Sequence, residues 1–164
     1  MRKVLIIVAH PDDETIWMGG YLLRNKKIWN TEIVSLCRKN DKDRAPKFMK
    51  VCKTYNARPF IFALDDAEEG YYKKISLKSI ESYLIPFFNK SYDLLFTHGS
   101  NGEYGHVRHK EVHFAIKSLV KDKKIIAKKV YTFSYLFYKG DNYINPNSDK
   151  IITLNENELK RKKS

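Results

Sequence analysis

The chain has 164 residues, of which 43% are hydrophobic and 30% charged, a composition that fits one globular domain and excludes an intrinsically disordered chain. Seven glycines and five prolines exclude a collagen-like protein, and no apolar stretch approaches the roughly 20 residues of a membrane-spanning helix. A formal net charge of +12 favours anionic partners without identifying one. The first apolar run, Val4–Ala9, is too short for the core of a signal peptide, so we expect a cytoplasmic protein.

The first part of the chain alternates strand and helix patterns. The unbroken aliphatic run Val4–Ala9 is typical of a strand that is buried on both faces of a parallel sheet. Apolar residues at helical spacing over Thr15–Asn25 and a second strand pattern over Thr31–Cys37 complete a βαβ unit. A helix, a strand and a loop are predicted next, in this order: Arg44–Tyr55, Pro59–Ala63 and Asp65–Gly70.

The second part continues the alternation. A helix, a strand, a glycine-rich loop and a helix are predicted over Ser76–Phe88, Tyr92–Thr97, His98–Gly105 and Val107–Val120. A last strand over Val130–Phe137 is predicted to close the sheet. This order predicts the α/β class, as a single Rossmann-like three-layer domain with a mainly parallel sheet over residues 1–138. Residues 139–164 are expected to form a C-terminal tail, with an edge strand at Ile151–Leu154.

Two polar segments directly follow predicted strands, at the strand ends where ligands bind in open α/β sheets. The first, His10–Glu14, holds an imidazole and three carboxylates, and the second, His98–His109, holds three of the five histidines. A single acidic residue suffices to cap a helix, and the spacing of His106 and His109 also arises by chance. Three adjacent carboxylates repel one another, however, and therefore indicate a compensating cation.

The two segments together offer a set of metal ligands. A His and an Asp from the first segment, with a His from the second, give three ligands and leave one position open for water. This arrangement is expected of catalytic rather than structural zinc. The first and fourth strands of such sheets are often neighbours, so residues far apart in sequence can meet at one edge. A remaining carboxylate is then available as a base.

Both segments resemble the signature motifs of the PIG-L or LmbE-like deacetylases, a family that removes acetyl groups from N-acetylglucosamine derivatives. The residues that carry the resemblance are Ala9–Glu14 with Gly19 and Gly20, then Tyr92–Gly99, Gly102–His106 and His109. The similarity extends from about Arg2 to Val112. It implies a Rossmann-like fold and amide hydrolysis with the help of a metal ion.

The resemblance also implies the metal ligands, which are His10, Asp13 and His109. The implied cofactor is Zn²⁺, with Fe²⁺ as the alternative, because two histidines and one carboxylate accept either ion. His98 stands at a strand end, where it either supports a metal ligand or binds a loop carbonyl. His113 follows His109 by one helical turn and is the alternative ligand to it.

Four further residues receive roles from the resemblance. Asp12 is the implied general base, Tyr104 lies near the developing oxyanion, and His106 is the cationic partner of the tetrahedral intermediate. Either His106 or Asp12 protonates the leaving amine. Arg44 is the implied substrate-binding residue. The chain departs from many members at Val107-Arg108, and an imidazolium at His106 would be disfavoured if Arg108 lay close to it.

These features predict a zinc-dependent N-deacetylase that hydrolyses an N-acetylglucosamine-type small molecule, such as a glycolipid, a nucleotide sugar or a small glycoside. The positive net charge favours an anionic substrate. A metal-dependent amidase for a non-sugar amide is one alternative. A basic protein that binds nucleic acid or an acidic polymer with a vestigial site is another, although nucleic acid is the less favoured partner. The sequence leaves the oligomeric state open.

Overall fold

The computed structural model describes residues 1–66 and 73–163, and its centre is a five-stranded sheet in which every neighbouring pair is parallel. The strand order is β3-β2-β1-β4-β5. The five strands are β1 (Arg2–Val8), β2 (Trp29–Cys37), β3 (Ala57–Leu64), β4 (Ser91–Thr97) and β5 (Ile126–Thr132). The α/β class predicted from the sequence is therefore confirmed.

Helices cover both faces of this sheet. Their bounds are α1 (Asp13–Asn25), α2 (Arg44–Thr54), α3 (Leu77–Leu84), α4 (Gly102–Gly105), α5 (Val107–Lys121) and α6 (Glu156–Lys163). Leu5 and Ile7 of β1 pack with α3 and α5 in one buried cluster, whereas Val4 and Ile6 pack with α1 and α2 in the other. The aliphatic run of β1 thus supplies both interfaces of a three-layer domain. Within the described ranges, no helix is both long and apolar enough to cross a membrane.

Proline and serine set the bounds of the third helix. The Ser76 side chain caps α3 by accepting the backbone N–H of Ser79. A 3₁₀ turn over Ile85–Phe87 replaces the helical continuation that was predicted as far as Phe88. Pro86 explains the difference, because proline lacks the N–H that a helix interior needs.

The last part of the chain differs from its prediction. The fifth strand begins at Ile126 and ends at Thr132, so the predicted strand Val130–Phe137 is wrong in both bounds. A separate antiparallel hairpin follows, formed by β6 (Tyr135–Tyr138) and β7 (Asp141–Ile144). The start of β5 was missed because Lys128 and Lys129 interrupt its apolar pattern. Charged residues are common on an edge strand such as β5, which exposes both lysines.

The tail does not form the edge strand that was predicted at Ile151–Leu154. These residues are neither strand nor helix, and they lie against α1 instead. A Cβ on Gly20 would lie 2.3 Å from Leu154, so only glycine leaves room for that side chain. Arg24 then binds Glu158 of α6 through two hydrogen bonds of 2.6 and 2.7 Å. The predicted loop Asp65–Gly70 lies outside the described residues beyond Asp66.

Candidate functional site

The two polar segments meet at the carboxyl ends of β1 and β4, which are neighbouring strands. Their pairing ends at Ile7 and Thr97. Two residues further along, the Ala9 N–H donates a 2.9 Å hydrogen bond to Nε2 of the buried His98. A side chain therefore holds the two strand ends together where the backbone pairing stops.

Three acceptor atoms converge at this edge of the sheet. Nδ1 of His10 lies 3.1 Å from Nε2 of His109. Oδ2 of Asp13 lies 3.4 Å from each of these nitrogens. All three side chains are buried, and they are the residues that the resemblance implies as metal ligands. The structure thus brings together residues that are 99 positions apart in the chain.

Hydrogen bonds on the far side of each ring fix which nitrogen faces the centre. Nε2 of His10 lies 2.8 Å from Oδ1 of Asp66, and Nδ1 of His109 lies 2.6 Å from Oε2 of Glu103. A carboxylate only accepts, so these ring nitrogens donate and the opposite ones keep a lone pair. Such carboxylate partners are usual for histidines that bind a metal.

The converging atoms fit a divalent ion. Two imidazole lone pairs and a carboxylate oxygen repel one another unless a cation lies between them. Bonds of about 2.0–2.1 Å to a tetrahedral zinc place neighbouring ligand atoms about 3.3–3.4 Å apart, close to the observed separations. Burial opposes ionisation of Asp13, but the neighbouring histidines His10, His109 and His98 hold its pKa well below its usual range.

Other groups near the centre are less suited as ligands. His98 lies beside Asp13 and His109, but its Nε2 already accepts the Ala9 N–H. Cys37 lies near His10, yet burial raises its pKa to about 12 and keeps it a thiol. His106 can join His10 and His109 in an all-histidine set, and it is the one alternative with an unoccupied ring nitrogen among the described residues.

His113 was the sequence-based alternative to His109, and the structure gives it a different partner. Its Nδ1 donates a 2.9 Å hydrogen bond to the backbone carbonyl of His98. The ring thereby ties α5 to the end of β4 and does not face the converging acceptors.

Asp12 lines an open cleft of about 230 Å³ beside the three converging atoms. Its side chain is 44% exposed and lies 3.6 Å from the guanidinium of Arg44, at the start of α2. Burial and the neighbouring Asp13 raise the pKa of Asp12, and Arg44 opposes that rise. A raised pKa suits a carboxylate that must accept a proton. The sequence-predicted base and the substrate-binding arginine therefore share one wall of the cleft.

His106 lies at the cleft with its ring 4.8 Å from His10 and 4.6 Å from His109. Burial, together with the neighbouring His109 and His10, lowers the pKa of His106 to about 4. The surroundings consequently favour a neutral ring rather than the expected cation. The guanidinium of Arg108, the neighbour suspected from the sequence, pairs with the carboxylate of Glu111.

Aromatic side chains form the remaining wall. Tyr104 also lines the cleft, with its ring 5.6 Å from that of His106, and burial raises its pKa to about 12. Trp17 of α1 lies 6.3 Å from the Tyr104 ring and donates its indole N–H to Oδ1 of Asp13. The phenol therefore keeps its proton and can donate it in a hydrogen bond.

Glu14, the third carboxylate of the first segment, lies outside the ligand set. It is fully buried, and its Oε1 accepts the Thr15 hydroxyl, which itself contacts the Tyr55 hydroxyl. Burial raises the pKa of Glu14 to about 7. The sequence suggested that three adjacent carboxylates repel one another and require a cation. Only Asp12 and Asp13 remain in that argument, because Glu14 lies apart in its own buried contacts.

Sequence reasoning missed three residues that support the site. Glu103 binds Nδ1 of both His98 and His109 and accepts the Gly99 N–H. Asp66 holds His10, and Arg38 in turn donates to Asp66 at 2.5 Å. Glu103 was within the recognised motif and its charge was a usable signal. Asp66 follows β3 outside both motifs, so only its place after a strand pointed to it.

Comparison with known proteins finds a matching family model and a similar viral protein. The model of the family PIG-L, described as GlcNAc-PI de-N-acetylase, matches residues 5–120. This family match includes every residue of the cleft described above and ends before β5. Protein L374 of Acanthamoeba polyphaga mimivirus is 30% identical over 177 residues, which cover 92% of this chain and 74% of that protein.

Solved structures share the fold at 14% identity. One is the antimicrobial reagent A40926 pseudoaglycone deacetylase Dbv21. It matches this chain with a TM-score of 0.66, over 98% of this chain and 78% of the Dbv21 chain. The 4-carboxy-2-hydroxymuconate hydratase GalB from Pseudomonas putida KT2440 has a TM-score of 0.60, covering 82% and 66%. The conserved protein TT1542 from Thermus thermophilus has 0.60, covering 80% and 66%. A deacetylase and a hydratase share this fold, so the fold alone does not determine the reaction.

Proposed function

This chain belongs to the PIG-L family, and we propose that it is a metal-dependent hydrolase that removes the acetyl group from an N-acetylglucosamine-type substrate. The observation that carries the proposal is the convergence of His10, Asp13 and His109, with a further carboxylate beside them at an open cleft. Residues 1–138 would form the catalytic domain and residues 139–164 its C-terminal tail. The deacetylase activity named for Dbv21 supports the same reaction class.

His10, Asp13 and His109 would hold the metal, as Zn²⁺ or, alternatively, Fe²⁺. A bound ion of this kind polarises an amide carbonyl and lowers the pKa of water. Asp66 and Glu103 keep the ring nitrogens of the two histidines pointed towards it. His106 completes an alternative set with His10 and His109, which a ligand substitution can distinguish.

The chain's own residues then handle the protons. Asp12 accepts a proton from the attacking water, and the resulting carboxylic acid returns it to the leaving amine as the C–N bond breaks. Because burial lowers the pKa of His106, we assign it a hydrogen bond to the developing oxyanion, with the cationic role implied by the resemblance as the alternative. Tyr104 donates a second hydrogen bond from the facing wall.

Arg44 would bind the sugar or an attached anion, because its guanidinium reaches the cleft from the start of α2. The net charge of +12 supports an anionic substrate, such as a glycolipid, a nucleotide sugar or a sugar phosphate. An amidase acting on a non-sugar amide would use the same groups. A purely nucleic-acid-binding role is less well supported, because neither the ligand set nor the base is missing.

The test combines two measurements on one preparation. We expect about one divalent ion per chain by elemental analysis, and release of acetate from at least one N-acetylated sugar in a panel that includes neutral and phosphorylated members. Metal without acetate release, but with hydrolysis of a non-sugar amide, would favour the amidase. Absence of both metal and hydrolysis would contradict the proposal.

A further inference from the structure

A second pocket, of about 190 Å³, lies on the other side of Trp17 from the catalytic cleft. Its walls come from α1, from the segment Tyr131–Tyr135 and from the tail. Side chains that line it include Phe133, Ile144 and Leu154. The pocket is therefore lined mainly by aromatic and aliphatic groups.

The pocket is built largely from residues beyond the family match, which ends at residue 120. Only α1 and Phe96 contribute from within the matched range. The part of the chain that the family model matches supplies the reaction centre, whereas the part beyond it supplies most of this pocket. Specificity is often determined by such added segments, because a site for chemistry and a site for the rest of the substrate can change independently.

Three polar side chains at the pocket have partners within the protein. Nζ of Lys150 binds the Tyr21 hydroxyl at 3.1 Å, and Nζ of Lys162 donates to the Ile16 carbonyl at 2.8 Å. The Tyr135 hydroxyl donates to the backbone carbonyl of Trp17 at 3.2 Å. The rest of the lining is mainly aromatic and aliphatic, so an apolar group would be buried there beside a few polar side chains, as in most small-molecule pockets.

Trp17 joins the pocket to the reaction centre. Its indole lines both spaces, donates to the ligand Asp13 and lies 4.8 Å from the ring of Tyr135. Asn101, in the loop after β4, donates a 2.7 Å hydrogen bond to the carbonyl of Tyr135. This contact ties that loop to the β6–β7 hairpin. The two spaces are therefore neighbours, and a molecule that extends past the Trp17 ring would reach both.

We propose that this second pocket binds an apolar group carried by the substrate, such as an alkyl chain attached to the N-acetylated sugar. This inference rests on the proposed deacetylase function for the sugar end of the molecule. Within the pocket the alkyl chain of the substrate gains affinity from burial alone, at about fourfold for each buried methylene. A neutral sugar with no apolar group uses the cleft only.

The first experiment compares the kcat/KM of acetate release for the methyl, butyl, hexyl and octyl glycosides of N-acetylglucosamine. Wild-type protein should show a rise with chain length that levels off when the pocket is full. Ile144→Asp places a charge in the wall at a residue that is 54% exposed, so the fold should persist. Ile151→Asp, at 51% exposure, repeats the test from the tail. Both should flatten the dependence on chain length.

The matched control is Ile85→Asp, a 59% exposed isoleucine in the 3₁₀ turn that does not line the pocket. It should keep the full dependence on chain length. A flat series in the wild type, or a dependence that persists in both wall variants, would overturn the inference.

A binding measurement separates this inference from the proposed function. Octyl glucoside lacks the acetamido group and cannot be deacetylated, so calorimetry below its micellar concentration measures binding without turnover, and methyl glucoside measures the contribution of the sugar. We expect saturable binding to wild type and to Ile85→Asp, and at least tenfold weaker binding to Ile144→Asp. Binding without any acetate release would leave the pocket assigned and contradict the deacetylase. Equal or absent binding in wild type and Ile144→Asp would refute the pocket.

Discussion

Charged side chains form pairs both at the candidate cleft and at the C-terminal tail. They are buried at the cleft and lie near the surface at the tail. Glu103, His98 and His109 are fully buried and each binds another member of the set. At the tail, Glu158 of α6 pairs with Arg24 of α1 at the surface. Removing one partner from a buried network leaves the others unsatisfied, whereas water replaces a lost surface partner. Equivalent substitutions should therefore have large effects in the first region and small ones in the second.

The largest effect is expected for His109→Ala, which removes one of three converging acceptors. The protein should lose most of its metal and essentially all acetate release, as measured by elemental analysis and a product assay. His113→Ala is the matched control on the same helix, and it should stay metal-loaded. The ligand assignment fails if these two results are exchanged.

Asp12→Asn tests the chemistry separately from the metal. The amide keeps the size of the side chain but cannot accept the proton, so kcat should fall by about 10²–10⁴-fold with little change in KM. Metal content should be unchanged, because Asp13 rather than Asp12 faces the two histidines. Near-normal turnover by a metal-loaded variant would contradict the role of Asp12, and loss of the ion would make Asp12 a ligand.

Glu103→Gln should weaken metal binding by about 10–100-fold, the usual effect of losing the partner of a ligating histidine. The amide has only one acceptor oxygen, whereas the carboxylate binds two imidazole N–H groups and the Gly99 N–H. A competition titration with a chelator measures the change. Glu156→Gln, at an exposed carboxylate of α6, serves as the control, and an unchanged affinity in Glu103→Gln would show that His109 is held without its partner.

Charge at the surface should have a smaller effect on substrate choice. We expect phosphate-bearing substrates to show a several-fold higher kcat/KM than their neutral counterparts at low salt, and we expect the advantage to shrink as salt rises. Steady-state assays at two ionic strengths measure it. Equal efficiency for both substrates at both salt concentrations would leave the basic surface without a part in recognition.

The smallest effect concerns the tail. The hydrogen bond with Arg24 lowers the pKa of Glu158 to about 2 in the folded state. Since the folded pKa lies below the unfolded one, the pair stabilises docking above about pH 4.3 and loses that contribution as the pH falls towards 2. Limited proteolysis of α6 with an acid-active protease should accelerate over this range. Arg24→Gln should remove the pH dependence, and an unaltered profile would show that other contacts hold the helix.

The central part of the fold followed from its sequence pattern. Val4–Ala9 has no polar residue, and only the centre of a parallel sheet buries both faces of such a strand. The adjacency of β1 and β4 then places His10 and His109 at one edge. The later elements were harder to predict, because two adjacent lysines interrupt the apolar residues of β5 and the tail packs where Gly20 has no side chain.

The supporting residues of the site were harder to predict than the residues at the centre. Glu103 has a φ of 59°, a left-handed conformation that few non-glycine residues adopt, and this backbone turn directs its carboxylate at two histidines. No periodicity reveals such a turn. Asp66 reaches His10 across 56 positions, and that contact depends on where β3 ends in the sheet.

The hydrogen bond between Trp17 and Asp13 gives the protein an internal optical signal. The chain has two tryptophans, and Trp29 lies in the buried core among Tyr21 and Phe96. Indole emission responds to nearby charge, so a cation that neutralises Asp13 should alter the light from Trp17 while that from Trp29 stays constant. Filling of the ion site can thus be followed in unmodified protein, in real time and without a chromogenic substrate.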